Sequence, residues 1–397
     1  MEKVKKSIVI LFGGILSEDT ALSVAATGRV YDLAKIIQIS GYKPVIIGFS
    51  QDNTFIKDSQ DYAIYIIKKK HVRGLKKVAN FFAVNKTLKN TLLEIFKRES
   101  VSGFFYQSAF ARLILPTITI PIKNQIPLGV IANDWYEYSG NNLFYFETEL
   151  TWQLIYPLFT NFIVTSTFFQ KYFSRGNRKN IIYIPAIFDV NNPCFKNFPE
   201  HPSKTHTRIA YAGNMKNGKE QIDLVIRAFA ELQNTQPENR LELHLYGNEE
   251  CEIRKYLEED QCLLDGIANK VFFHGFVDRN LLQNQLRKMD FTILVRPHKR
   301  YAEAGFATKF AESFLLGVPV IANLTGDLGD YLKDEINGLV IEENSVSAIK
   351  SALIRADGLS FQEKCSMRNA AWQTGHRNFN LFEYVDNMEI FLLNMRK

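Results

Sequence analysis

"RIAYAGNMKNGKEQIDLVIRAFAELQ", residues 208–233, is the stretch on which the fold turns. Its first five residues read as a short apolar strand, and Gly213 breaks it. From Glu220 onward the apolar residues recur at helical spacing. A strand that passes through a glycine loop into a helix opens a βαβ unit. In sheets built of such units, ligands sit beyond the carboxyl ends of the strands. Lys216 and Lys219 lie just before the helix, where the helix dipole and a lysine together favour a phosphate; either can equally be a solvated charge.

Downstream the alternation continues. "LELHLYG" (241–247), "KVFFHGF" (270–276), "DFTILVRP" (290–297) and "VPVIAN" (318–323) read as strands, with helical patterns between them. Upstream, "NNPCFKNFPEHPSKTHT" (191–207) is polar, holds three prolines and lacks periodicity, so it is expected to be a linker. Before it, "SIVILFGG" (7–14), a helical stretch ending at Gly41, and "YKPVIIGFS" (42–50) start a second alternation. That alternation runs, less cleanly, to "NIIYIPAIFDV" (180–190). The expected architecture is α/β: two doubly wound, Rossmann-like domains, 1–190 and 208–375, facing each other across a cleft. The amphipathic segment 376–397 is expected either to pack back on the first domain or to form a dimer face.

At 397 residues, two domains are the natural division. The 46% hydrophobic and 23% charged content is that of a soluble globular chain, and no apolar run is long enough for a spanning helix. Four cysteines without CxxC spacing suggest reduced thiols, neither a disulfide frame nor a zinc site. Through residue 204 there are 25 Lys+Arg against 15 Asp+Glu; beyond it, 23 against 27. The basic first half concentrates its charge in "KKKHVRGLKK" (68–77) and "SRGNRKN" (174–180). These are solvated faces or contacts for anionic lipid head groups or phosphates. No aromatic-basic interleaving accompanies them, which argues against nucleic acid.

The glycine pair Gly13-Gly14 after the first strand is either a close-approach loop for a ligand or a tight turn; without GxGxxG, a dinucleotide cofactor is disfavoured. In "LVRPHKRYAEAGFATKFAESFLLGVPVIAN" (294–323), Arg296 ends a buried strand, a poor place for an unpartnered charge. Gly305 marks a tight loop, Thr308 is expected as the helix N-cap, and Phe310 and Phe314 face the core. Glu312, in the second turn and off the phenylalanine stripe, is within reach of a ligand held at the helix start.

"GFATKFAESFLLGVPVIAN" resembles the GFPTKFxESxxxGxPVI form of bacterial capsule and surface-polysaccharide transferases. With "YAGN", "LHLYGNEE", "VFFHGFVDRNLLQNQLRKMDFTILVRP" and "TGDLGDYLKDEINGLVI" in order, residues 208 to about 345 resemble the GT-B glycosyltransferases of family 4, group 1. "IANDWYEYSG" and "IVTSTFFQKYF" resemble the first domain of such enzymes less specifically. The resemblance implies a retaining, metal-independent transfer of a sugar from a nucleotide diphosphate donor, UDP-sugar ahead of GDP-sugar, with no other cofactor. The acceptor it implies is a glycan or lipid-linked intermediate of surface-polysaccharide assembly, handled in the cytoplasm or on the inner membrane face, where the basic first domain docks.

For this sequence the resemblance places Glu312 on the donor ribose, and the backbone of Gly305, Phe306, Ala307, Thr308 and Lys309 near the diphosphate. Gly213, Asn214, Gly247, Gly13 and Gly14 border the donor. Lys219 and Arg296 would stabilise charge growing on the leaving phosphate, and Asp134, with Glu137 as a rival, would face the donor sugar or acceptor hydroxyl. Three positions depart from the family pattern. Asn214 replaces an arginine, Glu220 stands where a phosphate lysine is usual, and Ala304 occupies the register of the first glutamate. Glu303, one place off, is left between a donor contact and a loop charge. These departures keep a second possibility open, a non-catalytic homologue that binds glycan or stabilises a partner transferase.

Overall fold

A computed structural model describes residues 5–16, 25–52, 54–70, 76–135, 142–175, 179–198, 200–215 and 219–395. The chain divides into two compact units, Met1–Pro185 together with Leu381–Lys397, and Ala186–Asn380.

The first unit is built on β1 (Ser7–Ile15), β2 (Lys43–Ser50), β3 (Phe55–Asp58), β4 (Ala63–Lys68), β5 (Val101–Gln107), β6 (Leu128–Ala132), β7 (Asn161–Val164) and β8 (Asn180–Tyr183). Among the described residues they form one sheet in the order β3-β4-β2-β1-β5-β6-β7-β8. Only β3, paired antiparallel to β4, departs from the parallel arrangement. Parallel strands covered on both faces need continuous apolar runs, which Ile8–Leu11 and Val45–Ile47 supply; all are buried. The helix Ala25–Ile39 ends as expected at Gly41, whose φ of +89° would strain any side chain. The last helix, Val385–Leu393, belongs to this unit: Asn180 donates a hydrogen bond to the Phe391 carbonyl (3.0 Å).

The second unit contains β9 (Thr207–Ala212), β10 (Leu241–Tyr246), β11 (Val271–Phe273), β12 (Phe291–Leu294), β13 (Val320–Asn323) and β14 (Gly338–Ile341). They run parallel in the order β11-β10-β9-β12-β13-β14. The strand order therefore reverses at β9/β12, as it does at β1/β5 in the first unit. Each reversal opens a crevice at the carboxyl ends of the strands. The helix Thr308–Leu315 seals one face of the second sheet with Phe310, Ala311, Phe314 and Leu315, all fully buried.

Residues 191–207, expected as a linker, are held on the second unit. Pro193–Lys196 form a helical turn, Phe195 is buried, and Arg287 donates to the carbonyls of Cys194 (2.9 Å), Asn197 (3.2 Å) and Phe198 (2.8 Å). The polar composition is real, but its carbonyls are satisfied by a buried guanidinium, which fixes the segment on the second unit.

Candidate functional site

The loops after β9 and β10 and the helix Thr308–Leu315 enclose a cavity of 310 Å³ at the switch point of the second sheet. Its lining includes Gly213, Asn214, Gly247, Lys309 and Glu312, five residues singled out from sequence.

Two glycines let the loops close up. Gly247 has a φ of +101°, and a Cβ there would lie 2.6 Å from the Gly213 carbonyl oxygen. A Cβ on Gly213 would collide with the Lys309 ammonium, so the lysine reaches across the space that the missing side chain leaves. Lys309 pairs with Glu220, and its Nζ lies 4.8 Å from the centre of the Tyr211 ring. The Tyr211 hydroxyl donates to Glu220 Oε2 (2.8 Å). Burial would raise the pKa of Glu220, but Lys309, followed by Tyr211 and Arg296, outweighs it and holds the carboxyl below its ordinary value. Burial, and then Glu220, push the Tyr211 phenol up, so it stays a donor.

One turn along the same helix from Lys309, Glu312 Oε1 accepts from Gln283 Nε2 (2.7 Å), and Arg279 stands 3.7 Å away. One carboxylate oxygen is thereby engaged at the cavity wall, and the geometry leaves an anionic acceptor suited to ligand hydroxyls.

Other expected site residues lie elsewhere. Arg296 is buried, but its guanidinium donates to the Ala302 carbonyl (3.4 Å) and lies over the Tyr301 ring (5.8 Å). It does not line the cavity, and neither does Lys219, whose carbonyl accepts from Tyr301 Oη (3.0 Å). Glu303 contacts His298 Nδ1 (3.1 Å) and accepts from the Gly326 backbone (2.8 Å), so it ties down the loop after β13. Phe306 packs on the rings of Phe310, Tyr331 and Phe379. Gly305 donates to the Tyr301 carbonyl (3.1 Å).

Thr308 is not the N-cap. Ala307 holds that position, and its methyl side chain has no acceptor for the free N–H groups of the first turn. In the first unit, Asp134 follows β6 next to the buried Trp135, which stacks on Trp152 (5.1 Å). Gly13 borders a different cavity at the end of β1, and Gly14 lies against the Phe12 ring. Glu137 and Lys216 lie outside the described residues.

Sequence reasoning missed Tyr211, Arg279 and Gln283. Tyr211 was hidden inside an apolar strand, and the other two sit one turn apart on the helix Arg279–Leu286, in a stretch read for its resemblance and not for its side chains.

Residues 206–356 match the family described as Glycosyl transferases group 1. Over 98 residues the chain is 26% identical to an uncharacterized glycosyltransferase of Methanocaldococcus jannaschii. That match spans 25% of this chain and 24% of the relative. Among solved structures, sucrose-phosphate synthase from Thermosynechococcus elongatus superposes with a TM-score of 0.71 at 14% identity, covering 97% of each chain. HepE of Anabaena, in complex with UDP and glucose, gives 0.65 at 15% identity, covering 97% of this chain and 99% of its own. A glycosyltransferase from Rickettsia africae gives 0.65 at 16% identity and 99% coverage of both. The fold is GT-B, and within its second unit residues 206–356 are similar to the group 1 glycosyltransferases.

Proposed function

We propose that this chain is a glycosyltransferase that binds a nucleotide diphosphate-sugar in the cavity of the second unit. The observation that carries the proposal is the convergence of Gly213, Asn214, Gly247, Lys309 and Glu312 on one crevice at the sheet's switch point. Bound UDP and glucose in HepE favour a UDP-sugar. In this account Glu312 accepts hydroxyls of the nucleoside, and the two glycines admit the phosphates. Lys309, held over Gly213 by Glu220 and Tyr211, meets the charge that grows on the leaving diphosphate. Transfer proceeds with retention and without a metal, onto a glycan or lipid-linked acceptor of surface-polysaccharide synthesis at the membrane face. No helix among the described residues is long and apolar enough to cross a membrane.

A thermal-shift screen of nucleotide-sugars tests the donor, since a ligand bound only by the folded state raises Tm. Failure of every nucleotide-sugar to stabilise the chain rejects the proposal. NMR of the product anomer tests retention; an inverted product rejects it. The Glu220–Lys309 pair favours one second reading, a non-catalytic homologue, because it neutralises the cavity's lysine. Donor hydrolysis or transfer by the isolated chain eliminates that reading.

A further inference from the structure

One join in the first unit's sheet lacks its usual cover. β2 and β4 are parallel neighbours, with Val45 opposite Ala63. Such a pair is commonly joined by a crossover helix that covers one face of the sheet. Here residues 51–62 carry β3 instead, and β3 pairs with the far side of β4. The helix Ala25–Ile39 packs on β1 and β2. Beside it, over β4 and β3, the sheet face is left as a cavity of 590 Å³. None of the residues that line it lines the donor cavity or the one bordered by Gly13.

The strands give this cavity an aliphatic floor, on which Ile46 and Ile66 are buried and Ile64 is partly exposed. Rings stand around it: Tyr31 from the helix, and Phe55 and Tyr62 from the β3–β4 hairpin, all half-buried. Lys35 on the helix and Lys57 on β3 complete the rim, and no Asp or Glu is among the lining residues. The acidic neighbours of Lys57 in sequence are engaged elsewhere. Asp58 accepts from Lys43 (2.8 Å), and Asp61 accepts from Lys5 (2.8 Å). Among the described residues Lys57 has no carboxylate at salt-bridge distance, and its Nζ lies 5.3 Å from the centre of the Tyr62 ring.

A flat apolar body gains from the isoleucine floor and from edge or face contact with the rings. A cation beside that floor, lacking a counter-ion, gains from an anion through a charge-assisted hydrogen bond. A sugar is poorly served, because Gln38 is the one side-chain amide on the wall and no carboxylate is there to accept its hydroxyls. We propose that this cavity binds an aromatic carboxylate, its rings laid on the isoleucines among Tyr31, Phe55 and Tyr62, and its carboxylate met by Lys57. The site is independent of the glycosyltransferase reading.

The probe is 2-naphthoate, titrated calorimetrically into the full chain. The controls are 2-naphthalenemethanol, with the same rings and no charge, and acetate, with the charge and no rings. The probe is expected to bind at least about tenfold more tightly than either control. Its affinity is expected to fall about tenfold in Lys57→Gln, a change at an exposed position, and several-fold in Phe55→Ser. No binding, equal binding of either control, or unchanged affinity in Lys57→Gln overturns the proposal. The titration is repeated with UDP present. Competition by UDP would put the probe in the donor cavity and also overturns the proposal. UDP binding without probe binding overturns this site alone. Probe binding by a chain that takes no UDP sustains the site and overturns the glycosyltransferase reading.

Discussion

Two cavities, that of the donor site and the one bordered by Gly13, occupy equivalent places, each at the carboxyl-end crevice where its sheet reverses strand order. Both are lined largely by apolar side chains, yet they treat charge differently. In the second unit the space is small, shaped by glycines, and its cation is already paired with Glu220. In the first unit the space is twice as large, lined by Phe81, Phe82 and Phe110, and among the described residues Lys69 and Lys70 have no carboxylate at salt-bridge distance, although Glu147 lies near enough to act on Lys69. The contrast shows what each can recognise. A cation already paired with a carboxylate beside an apolar wall suits a ligand held by directed hydrogen bonds and packing, whereas weakly paired cations favour an anion.

The largest test of that contrast is Gly247→Ala. A side chain at φ +101° and 2.6 Å from the Gly213 carbonyl is expected to cost about 2 kcal/mol or more. That lowers the Tm of the second unit by roughly 4–8 °C and removes UDP binding. A thermal melt and a UDP titration check both; UDP bound as tightly as by the parent would show that the close approach of the two loops is not needed.

Next in size, Glu312→Gln keeps the shape at Gln283 but removes the charge. UDP affinity is expected to fall about tenfold to a hundredfold by calorimetry.

Smaller, and of opposite sign, Glu220→Gln frees Lys309 from its counter-ion. A diphosphate should then bind about three- to tenfold more tightly. A weaker complex would mean that Glu220 chiefly positions the lysine. The same variant changes acid stability. The Glu220 carboxyl is held below its ordinary 4.5, so its contribution is present above that pH and lost as pH falls through the lower, folded value. Urea titrations between pH 5 and about 3 should therefore show a shallower loss of stability in Glu220→Gln than in the parent.

Much of this was legible in the chain, and the limits are physical. Strand–glycine–helix alternation marked both sheets, because parallel strands need continuous apolar runs and their exits need glycine. The family resemblance put Gly213, Asn214 and Gly247 beside one ligand, and helical spacing put Glu312 off the Phe310–Phe314 stripe.

What escaped depends on contacts between distant segments. Glu220 and Lys309 are 89 residues apart, and nothing local says that they meet. The resemblance put Arg296 near the leaving phosphate, and its place at the end of a buried strand called for a partner. Its partners proved to be the Ala302 carbonyl and the Tyr301 ring. Glu303 found a similar local use at the Gly326 backbone. The segment 191–207 looked like a linker because Arg287, its anchor, lies nearly a hundred positions away. In the first unit the basic run 68–77 was visible, but its juxtaposition with Arg112 and Asn85 exists only in the fold.

The claim that the second unit is a donor site is met most directly by titrating UDP into the full chain, its Glu312→Gln variant and its Lys69→Gln/Lys70→Gln variant. The account predicts saturable binding by the parent, binding at least about tenfold weaker in Glu312→Gln, and parental affinity in the lysine variant. Absent binding, or Glu312→Gln binding as tightly as the parent, would contradict it.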